Sequence, residues 1–136
     1  MAEDPDRSDG AAVATACRGV RGATTVDPAD PGDVEGATAE LLDALLRANA
    51  ARLQDVAAAI FTLTDDLAGL NPAAAARANG WGAIPLLVVR EHAGENGVPR
   101  CLRVLLLVNT DRPQAAIAHL YLRGATALRP DLAALP

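Results

Sequence analysis

The residues best suited to chemistry are a few charged and phenolic side chains that interrupt apolar stretches or end them. They are Arg21, Arg77, Glu91, Arg103, Tyr121 and Arg129. Arginine pairs bidentately with carboxylate and phosphate groups, so several fixed arginines beside one carboxylate and one phenol predict a site for a small polyanionic ligand. Such a site can catalyse a reaction by holding a reactive conformer and by stabilising charge that appears only in the transition state.

The motifs of other reaction classes are missing from the sequence. It contains no glycine-rich nucleotide-binding motif, and no nucleophile elbow with a Ser-His-Asp set. His92 and His119 have no ligand-like spacing with Cys17 or Cys101, so no zinc site is predicted. Cys101 lies among leucines and is expected to be a buried, inert thiol. We therefore expect neither a metal ion nor a cofactor.

Composition and charge limit the class of protein further. The 136 residues suffice for one domain, whose core must be built of Ala, Leu and Val because aromatic residues are nearly absent. The net charge of −5 argues against a nucleic-acid surface. No apolar run approaches the ~20 residues of a membrane span, and the acidic N-terminus does not resemble a signal peptide. Two cysteines make no disulfide framework, so a cytoplasmic protein is expected.

The stretch from residue 84 to residue 108 organises the predicted sheet. It consists of an apolar run ending at Glu91, a loop rich in Gly and Pro, and a second apolar run interrupted by Arg103. This pattern predicts two strands that pair antiparallel around the loop, which would bring Glu91 and Arg103 together at one end of the sheet. The alternative interpretation of these two residues is an ion pair without functional consequence.

Hydrophobic periodicity and capping residues predict the remaining elements. Residues 1–16 are acidic and lack periodicity, so we expect them to be a disordered extension. The other expected elements are a strand from Cys17, a helix over residues 33–50 capped by Asp33, a strand in the second half of residues 56–64, a short helix between Asn71-Pro72 and Gly80, and a strand over residues 119–123.

The predicted sheet needs cover on both sides. In the run that holds Arg103, both sets of alternate residues are apolar apart from the arginine itself. Strands of this kind are usually buried on both faces, but one long helix and one short helix cannot cover both faces of a four- or five-stranded sheet. We therefore expect a homo-oligomer in which a second copy of the chain covers the other face.

Three motifs together resemble the monofunctional chorismate mutases of the Bacillus (AroH) type. They are C-R-G-V-R-G-A-T-T-V, R-V-L-L-L-V-N-T-D-R-P and H-L-Y-L-R-G-A-T-A-L-R-P-D-L, and they cover about residues 17–132 in this order. The resemblance implies a chorismate mutase domain over residues 17–136 with an α+β fold, in which a mixed β-sheet packs with one long helix and short helices. It also implies a homotrimer with a barrel-like sheet core and active sites between subunits.

The same resemblance implies a reaction, the Claisen rearrangement of chorismate to prephenate in phenylalanine and tyrosine biosynthesis, without cofactor or covalent intermediate. Arg103 resembles the arginine beside the breaking ether bond, where it stabilises negative charge on the oxygen. Glu91 resembles the carboxylate that bonds the ring hydroxyl and complements positive charge on the ring. Arg21 and Tyr121 resemble the residues that hold a substrate carboxylate.

Further substrate-binding residues follow from the resemblance alone. Leu128 and Arg129 match the segment that lines the end of the pocket, and Arg77 resembles an arginine that the adjacent subunit contributes at the pocket mouth. The other residues expected to contact the substrate are Ala73, Leu86, Leu87 and Val88.

The resemblance is incomplete at the mouth of the implied pocket. The family often has phenylalanine where this chain has Asn71, lysine where it has Ala74, and a cysteine in the segment around Val88. A mouth that is less aromatic and less basic predicts a raised Michaelis constant for chorismate. It also motivates an alternative function, a non-catalytic metabolite-binding trimer of the same fold. An imine or enamine deaminase is a second alternative, because those trimers share a similar architecture and also hold a carboxylate with an arginine.

Overall fold

The computed structural model of the chain describes residues 15–92 and 97–129. Within these ranges five strands form one mixed sheet, and they are β1 (Ala16–Thr25), β2 (Val56–Leu63), β3 (Leu86–Arg90), β4 (Cys101–Thr110) and β5 (Leu120–Tyr121). The strand order is β3-β2-β4-β1-β5. The central strand β4 is antiparallel to β1 and β2, while β3 is parallel to β2 and β5 is parallel to β1. Together with the helices this sheet confirms the predicted α+β fold.

The long helix α1 (Asp33–Ala48) forms because apolar side chains recur along one of its faces. Its buried residues are Ala37, Thr38, Leu41, Leu42 and Leu45. The helix begins at the expected residue, but Gly32 rather than Asp33 is its N-cap. The carboxylate of Asp33 turns back instead, and its Oδ2 accepts a hydrogen bond from the backbone N–H of Asp27 at 2.7 Å. The helix ends two residues before the predicted limit.

The short helix α2 (Pro72–Ala76) begins as the sequence predicts. Asn71 caps it, since its Oδ1 accepts a hydrogen bond from the backbone N–H of Ala74 at 3.0 Å, and Pro72 takes the first position. The chain leaves the helical path at Asn79 and Gly80, and the φ of +95° at Gly80 lies in the region that favours glycine. Trp81 is then buried, with 1% of its surface exposed. Neither α1 nor any other helix of the described ranges combines the length and the apolar character that a membrane span requires.

The hydrophobic core lies between the helices and one face of the sheet. Alternate residues of β4 supply much of this face and are at most 3% exposed: Leu102, Val104, Leu106 and Val108. The opposite face of the sheet is open in the single chain. Leu105 on β4 is 38% exposed there, and Leu87 on β3 is 62% exposed. The helices of one chain therefore cover one face of its sheet and leave the other face exposed.

The predicted hairpin between the apolar runs at residues 84–91 and 101–108 is wrong. β2 lies between β3 and β4, so those two strands do not pair with each other. Thr62 of β2 is the Cα partner of Val89 on one side and of Arg103 on the other. The two runs and their loop match a hairpin pattern locally, but a strand that precedes both of them in the sequence supplies a partner for each.

Three strand limits also differ from the predictions. β1 begins at Ala16, one residue inside the expected extension, of which residues 1–14 lie outside the described residues. β2 occupies both halves of its apolar run. β5 is shorter than predicted because Arg123 takes a φ of +52° and opens a 3-10 helix (Arg123–Leu128) in place of extended chain. Residues 130–136, the end of the predicted domain, lie outside the described residues as well.

Candidate active site

A cavity of about 460 Å³ opens on the uncovered face of the sheet. Five residues that the sequence singles out line it together: Arg21, Glu91, Arg103, Tyr121 and Arg129. The other lining residues are Gly22, Ile60, Thr62, Val104 and Leu105. Its volume lies within the range of about 300–1,000 Å³ that is typical of small-molecule sites.

Strand alternation directs two of the arginines to this cavity. The register sets Arg21 of β1 opposite Leu105 of β4, and Arg103 of β4 opposite Ala23 of β1. Successive side chains of a strand point to opposite faces of the sheet. Both arginines therefore share the open face with Leu105, while Val20, the neighbour of Arg21, is buried in the core.

Glu91 reaches the cavity from the first position after β3. Its backbone N–H donates to the carbonyl oxygen of Leu63 at 2.9 Å, which continues the pairing with β2 one residue beyond the strand. Its carboxylate has two partners: Oε1 accepts a hydrogen bond from Oγ1 of Thr62 at 2.5 Å, and Oε2 lies 3.4 Å from Nη1 of Arg103. The side chains of Arg103 and Glu91 are 41% and 21% exposed, so this ion pair is a partly solvated contact in the cavity wall.

β5 brings Tyr121 to the cavity. Tyr121 pairs with Ala23 of β1 and is buried in a small cluster with Ala23, Cys101 and Ala125. Cys101 is 3% exposed, and burial raises the pKa of its thiol to about 11. Cys101 is thus buried as the sequence predicts, and a raised pKa disfavours the reactive thiolate at neutral pH.

The 3-10 helix after β5 leads to the last two predicted site residues, Leu128 and Arg129. Arg123 connects the start of this segment to α1, because its guanidinium donates to Asp33 at 3.1 Å and to Glu40 at 3.1 Å. The 3-10 helix that starts there ends at Leu128, which packs against the cluster around Tyr121. Arg129 follows and lines the cavity.

The cavity wall carries a net positive charge. Arg21, Arg103 and Arg129 contribute three positive charges and Glu91 one negative charge, which leaves +2. Burial is the main cause that lowers the pKa of His119 below its ordinary value of 6.5, and the charges of Arg21 and Arg129 lower it further. The lowered pKa favours the neutral ring. The wall therefore suits a small dianion.

Metal ligands form no cluster in the described part of the chain. No group of three or more His, Cys, Asp or Glu side chains within residues 15–92 and 97–129 is placed to hold a metal ion. The residues that could hold an anionic ligand are the arginines of the cavity wall.

The remaining predicted site residues lie outside this cavity in the single chain. Arg77 is exposed at the end of α2, and Ala73 is 7% exposed within that helix. Leu86 packs against the core, whereas Leu87 and Val88 are exposed on β3. The structure thus separates the predicted residues into one group on the cavity and a second group around α2 and β3.

Thr62 lines the cavity but was not predicted from the sequence. Its hydroxyl orients the carboxylate of Glu91, and its backbone pairs with that of Arg103. The sequence feature that could have revealed Thr62 is the alternation of residues along β2. This alternation sets Ile60 and Thr62 on the face opposite Phe61. A hydroxyl on an apolar strand face beside a charged residue is a candidate partner for that residue.

Comparison with known proteins identifies the family. The sequence model described as "Chorismate mutase type I" matches residues 17–132. The chain is 48% identical to "Chorismate mutase AroH" of Thermus thermophilus over 85% of its length and 95% of that protein. It is 37% identical to "Chorismate mutase AroH" of Bacillus subtilis over 85% of its length and 91% of that protein.

A solved structure supports the same family. A chorismate mutase from Clostridium thermocellum superimposes with a TM-score of 0.76 at 36% sequence identity, covering 80% of this chain and 97% of that one. Fold, sequence model and relatives therefore agree along most of the chain. The chain belongs to the chorismate mutase type I family and is an isomerase.

Proposed function

We propose that the cavity on the open sheet face binds chorismate and converts it to prephenate in aromatic amino acid biosynthesis. The observation that carries the proposal is the wall of this cavity, where Glu91 and Arg103 lie side by side within a net charge of +2. Chorismate carries two carboxylates, so its charge complements that of the wall.

The two outer arginines and the phenol bind the substrate. Arg21 and Arg129 each present a planar guanidinium that can hold a carboxylate through two parallel hydrogen bonds. Tyr121 adds a hydroxyl that can donate to a carboxylate. These three contacts restrict the substrate to the compact conformer in which the two carbons that become bonded lie close together.

Arg103 and Glu91 act on the reacting atoms. As the ether C–O bond breaks and the new C–C bond forms, negative charge builds on the ether oxygen and positive charge on the ring. Arg103 donates to that oxygen, and Glu91 accepts a hydrogen bond from the ring hydroxyl and faces the ring charge. The Glu91 carboxylate is oriented before the substrate arrives by its hydrogen bond from Thr62, so its stabilisation of the ring charge requires little reorganisation during the reaction.

Arg103 has the capacity for this role. A guanidinium offers five N–H donors. Among the described residues its side chain has one hydrogen-bond acceptor, Glu91, at the long distance of 3.4 Å. The remaining donors can therefore turn to the substrate without the loss of another contact.

The proposal extends to a homotrimer with a barrel-like sheet core and active sites between subunits. Its support is the open sheet face, on which Leu87, Val89 and Leu105 are 62%, 44% and 38% exposed. In such a trimer the second group of predicted residues, which includes Arg77, would complete the cavity of a neighbouring subunit. Size-exclusion chromatography with light scattering should give about three times the chain mass of 13.9 kDa. A mass of one chain would refute this part.

We also propose that the enzyme acts in the cytoplasm. Cys17 and Cys101 are both free, Cys17 on the surface and Cys101 buried. An unpaired surface thiol is typical of a reducing compartment. Detection of the enzyme in the soluble cytoplasmic fraction of its source cells would agree with this location, and its recovery outside the cytoplasm would contradict it.

The direct test of the function is a turnover assay. The purified chain, without added metal or cofactor, should consume chorismate and release prephenate in equal amounts. Isothermal titration calorimetry with chorismate separates the alternatives. Binding without turnover would favour a metabolite-binding protein over an enzyme.

A further inference from the structure

The outer edge of β1 is completed by side chains where β5 does not reach. An edge strand leaves N–H and C=O groups that need partners. Gln114 meets Gly19 in both directions: its Oε1 accepts from the N–H of Gly19 at 3.1 Å, and its Nε2 donates to the carbonyl oxygen of Gly19 at 2.7 Å. Two residues along the strand, the N–H of Arg21 donates to Nδ1 of His119 at 2.9 Å. A histidine ring therefore holds the backbone of a cavity arginine.

Asn49 explains why a side chain, and not the backbone before β5, accepts the hydrogen bond from the N–H of Arg21. It is 4% exposed and binds both backbone groups of Ala118: its Oδ1 accepts from the N–H at 2.7 Å, and its Nδ2 donates to the carbonyl oxygen at 3.0 Å. The backbone that precedes β5 is thus engaged by the end of α1. The ladder between β1 and β5 begins with Gly22 and Leu120, so the backbone N–H of the residue before Gly22 needs another acceptor.

The His119 contact requires a defined protonation state. A backbone N–H can only donate, so Nδ1 of His119 carries no proton. Burial and the nearby charges of Arg21 and Arg129 lower the pKa of His119 and favour this neutral ring. His119 also directly precedes β5, so the contact joins the backbone of Arg21 to the segment that carries Tyr121.

We propose that His119 is a positioning residue for Arg21. By holding the backbone N–H of Arg21, its Nδ1 fixes the strand edge from which the guanidinium reaches a substrate carboxylate. The inference rests on the proposed function, because it takes Arg21 to bind chorismate. His119 acts through Arg21, so its loss weakens substrate binding more than it slows the chemical step.

The test compares variants at position 119 in steady-state kinetics with chorismate. His119→Ala removes the acceptor, whereas His119→Asn places an amide oxygen near the position of Nδ1. We expect His119→Ala to raise KM about three- to tenfold, with kcat within about twofold of wild type, as for the loss of one hydrogen bond. His119→Asn should keep KM within about twofold of wild type.

Gln114→Ala is the matched control, because it removes two hydrogen bonds from the same strand edge at Gly19. It should leave KM within about twofold of wild type. An unchanged KM in His119→Ala would overturn the inference. A rise in Gln114→Ala or His119→Asn equal to that in His119→Ala would also overturn it, because the cause would then be a general loosening of the edge.

Arg21→Ala separates the failure of this inference from the failure of the proposed function. If Arg21→Ala leaves KM unchanged, Arg21 does not bind the substrate. The substrate-binding role of Arg21 in the proposed function and the positioning role of His119 then both fail. If it raises KM while His119→Ala does not, only the positioning role fails. Hydrogen exchange at the amide of Arg21 is a readout independent of turnover, and it should be faster in His119→Ala than in His119→Asn. Equal exchange in the two variants would contradict the role of Nδ1.

Discussion

Glu91 and Arg103 meet across a strand to which neither of them belongs. Oε2 of Glu91 lies 3.4 Å from Nη1 of Arg103, and Thr62 of the intervening strand β2 donates to Oε1 at 2.5 Å. The ion-pair distance exceeds the ~2.7–2.9 Å of a strong charge-assisted hydrogen bond. The carboxylate is thus oriented mainly by the threonine, and the arginine keeps donors for a ligand.

Thr62→Val tests whether this orientation matters. The substitution keeps the shape of the side chain and removes the hydroxyl that donates to Glu91. We expect kcat with chorismate to fall about three- to tenfold, because a misoriented carboxylate complements the ring charge less well. Thr62→Ser is the control and should retain most of the activity. Wild-type kcat in Thr62→Val would show that Glu91 is oriented without the hydroxyl.

A close approach between β1 and α1 predicts a large stability difference between two similar glycine variants. A Cβ at Gly22 would lie 2.5 Å from Cδ1 of Leu45 and 3.1 Å from Cδ1 of Leu41, both buried core residues. Overpacking of this kind typically costs about 1–3 kcal/mol. We therefore expect Gly22→Ala to lower the free energy of unfolding by about that amount in urea titrations.

Gly19→Ala on the same strand is the control for that variant. Its Cβ would lie 3.5 Å from Cδ1 of Leu105, an ordinary van der Waals contact. We expect a smaller loss of stability than in Gly22→Ala. Equal losses in the two variants would mean that the strand, and not the helix contact, limits what position 22 tolerates.

Local patterns predicted the elements of the fold better than their pairing. The helix after Asn71-Pro72 and the buried face of β4 follow from caps and alternation, which depend on neighbouring residues. The partner of β3 depends on β2, more than twenty residues earlier, and no local pattern reports such a contact. The end of β5 depends on Arg123, whose positive φ is held in place by carboxylates of α1.

The same division applies to the candidate site. The five predicted residues that line the cavity together are charged or phenolic groups within apolar stretches or just after them, and their types made them visible in the sequence. Thr62 and His119 were missed because their contribution is a hydrogen bond to another residue, and such a bond becomes visible only in three dimensions. Arg77 and Leu87 lie outside the cavity of one chain, so their roles depend on an assembly that remains a prediction.

His119 predicts a pH dependence of stability. Its pKa is lowered in the folded chain, mainly by burial, so the unfolded chain binds a proton more readily than the folded chain. The contribution of His119 to stability is therefore complete above its ordinary pKa of 6.5 and is lost as the pH falls through its lowered folded pKa. Urea unfolding at pH about 7.5 and at progressively lower pH should show this loss.

The variant His119→Asn cannot take up that proton and serves as the control. Its stability should fall less steeply than that of the wild type below pH about 6.5. The other histidine, His92, is present in both proteins and does not affect the difference. Parallel curves would contradict a lowered pKa at His119.

The two thiols should differ in reactivity. Cys17 is exposed, whereas Cys101 is buried with a pKa of about 11. At pH about 8 a thiol reagent should modify one equivalent in the folded protein, and the second only after denaturation. Peptide mapping should place the first label on Cys17. Rapid labelling of Cys101 in the folded protein would show that its cluster with Tyr121 opens in solution.

The most direct measurement is kcat with chorismate for Arg103→Ala. Loss of a donor that stabilises transition-state charge lowers kcat by about 10²–10³-fold, and we predict a decrease in this range with an unchanged fold by circular dichroism. Arg90→Ala is the control, because the ion pair of Arg90 with Asp65 is exposed and lies outside the cavity, and it should retain wild-type kcat. A kcat within about tenfold of wild type in folded Arg103→Ala would contradict the role of Arg103 at the reacting oxygen.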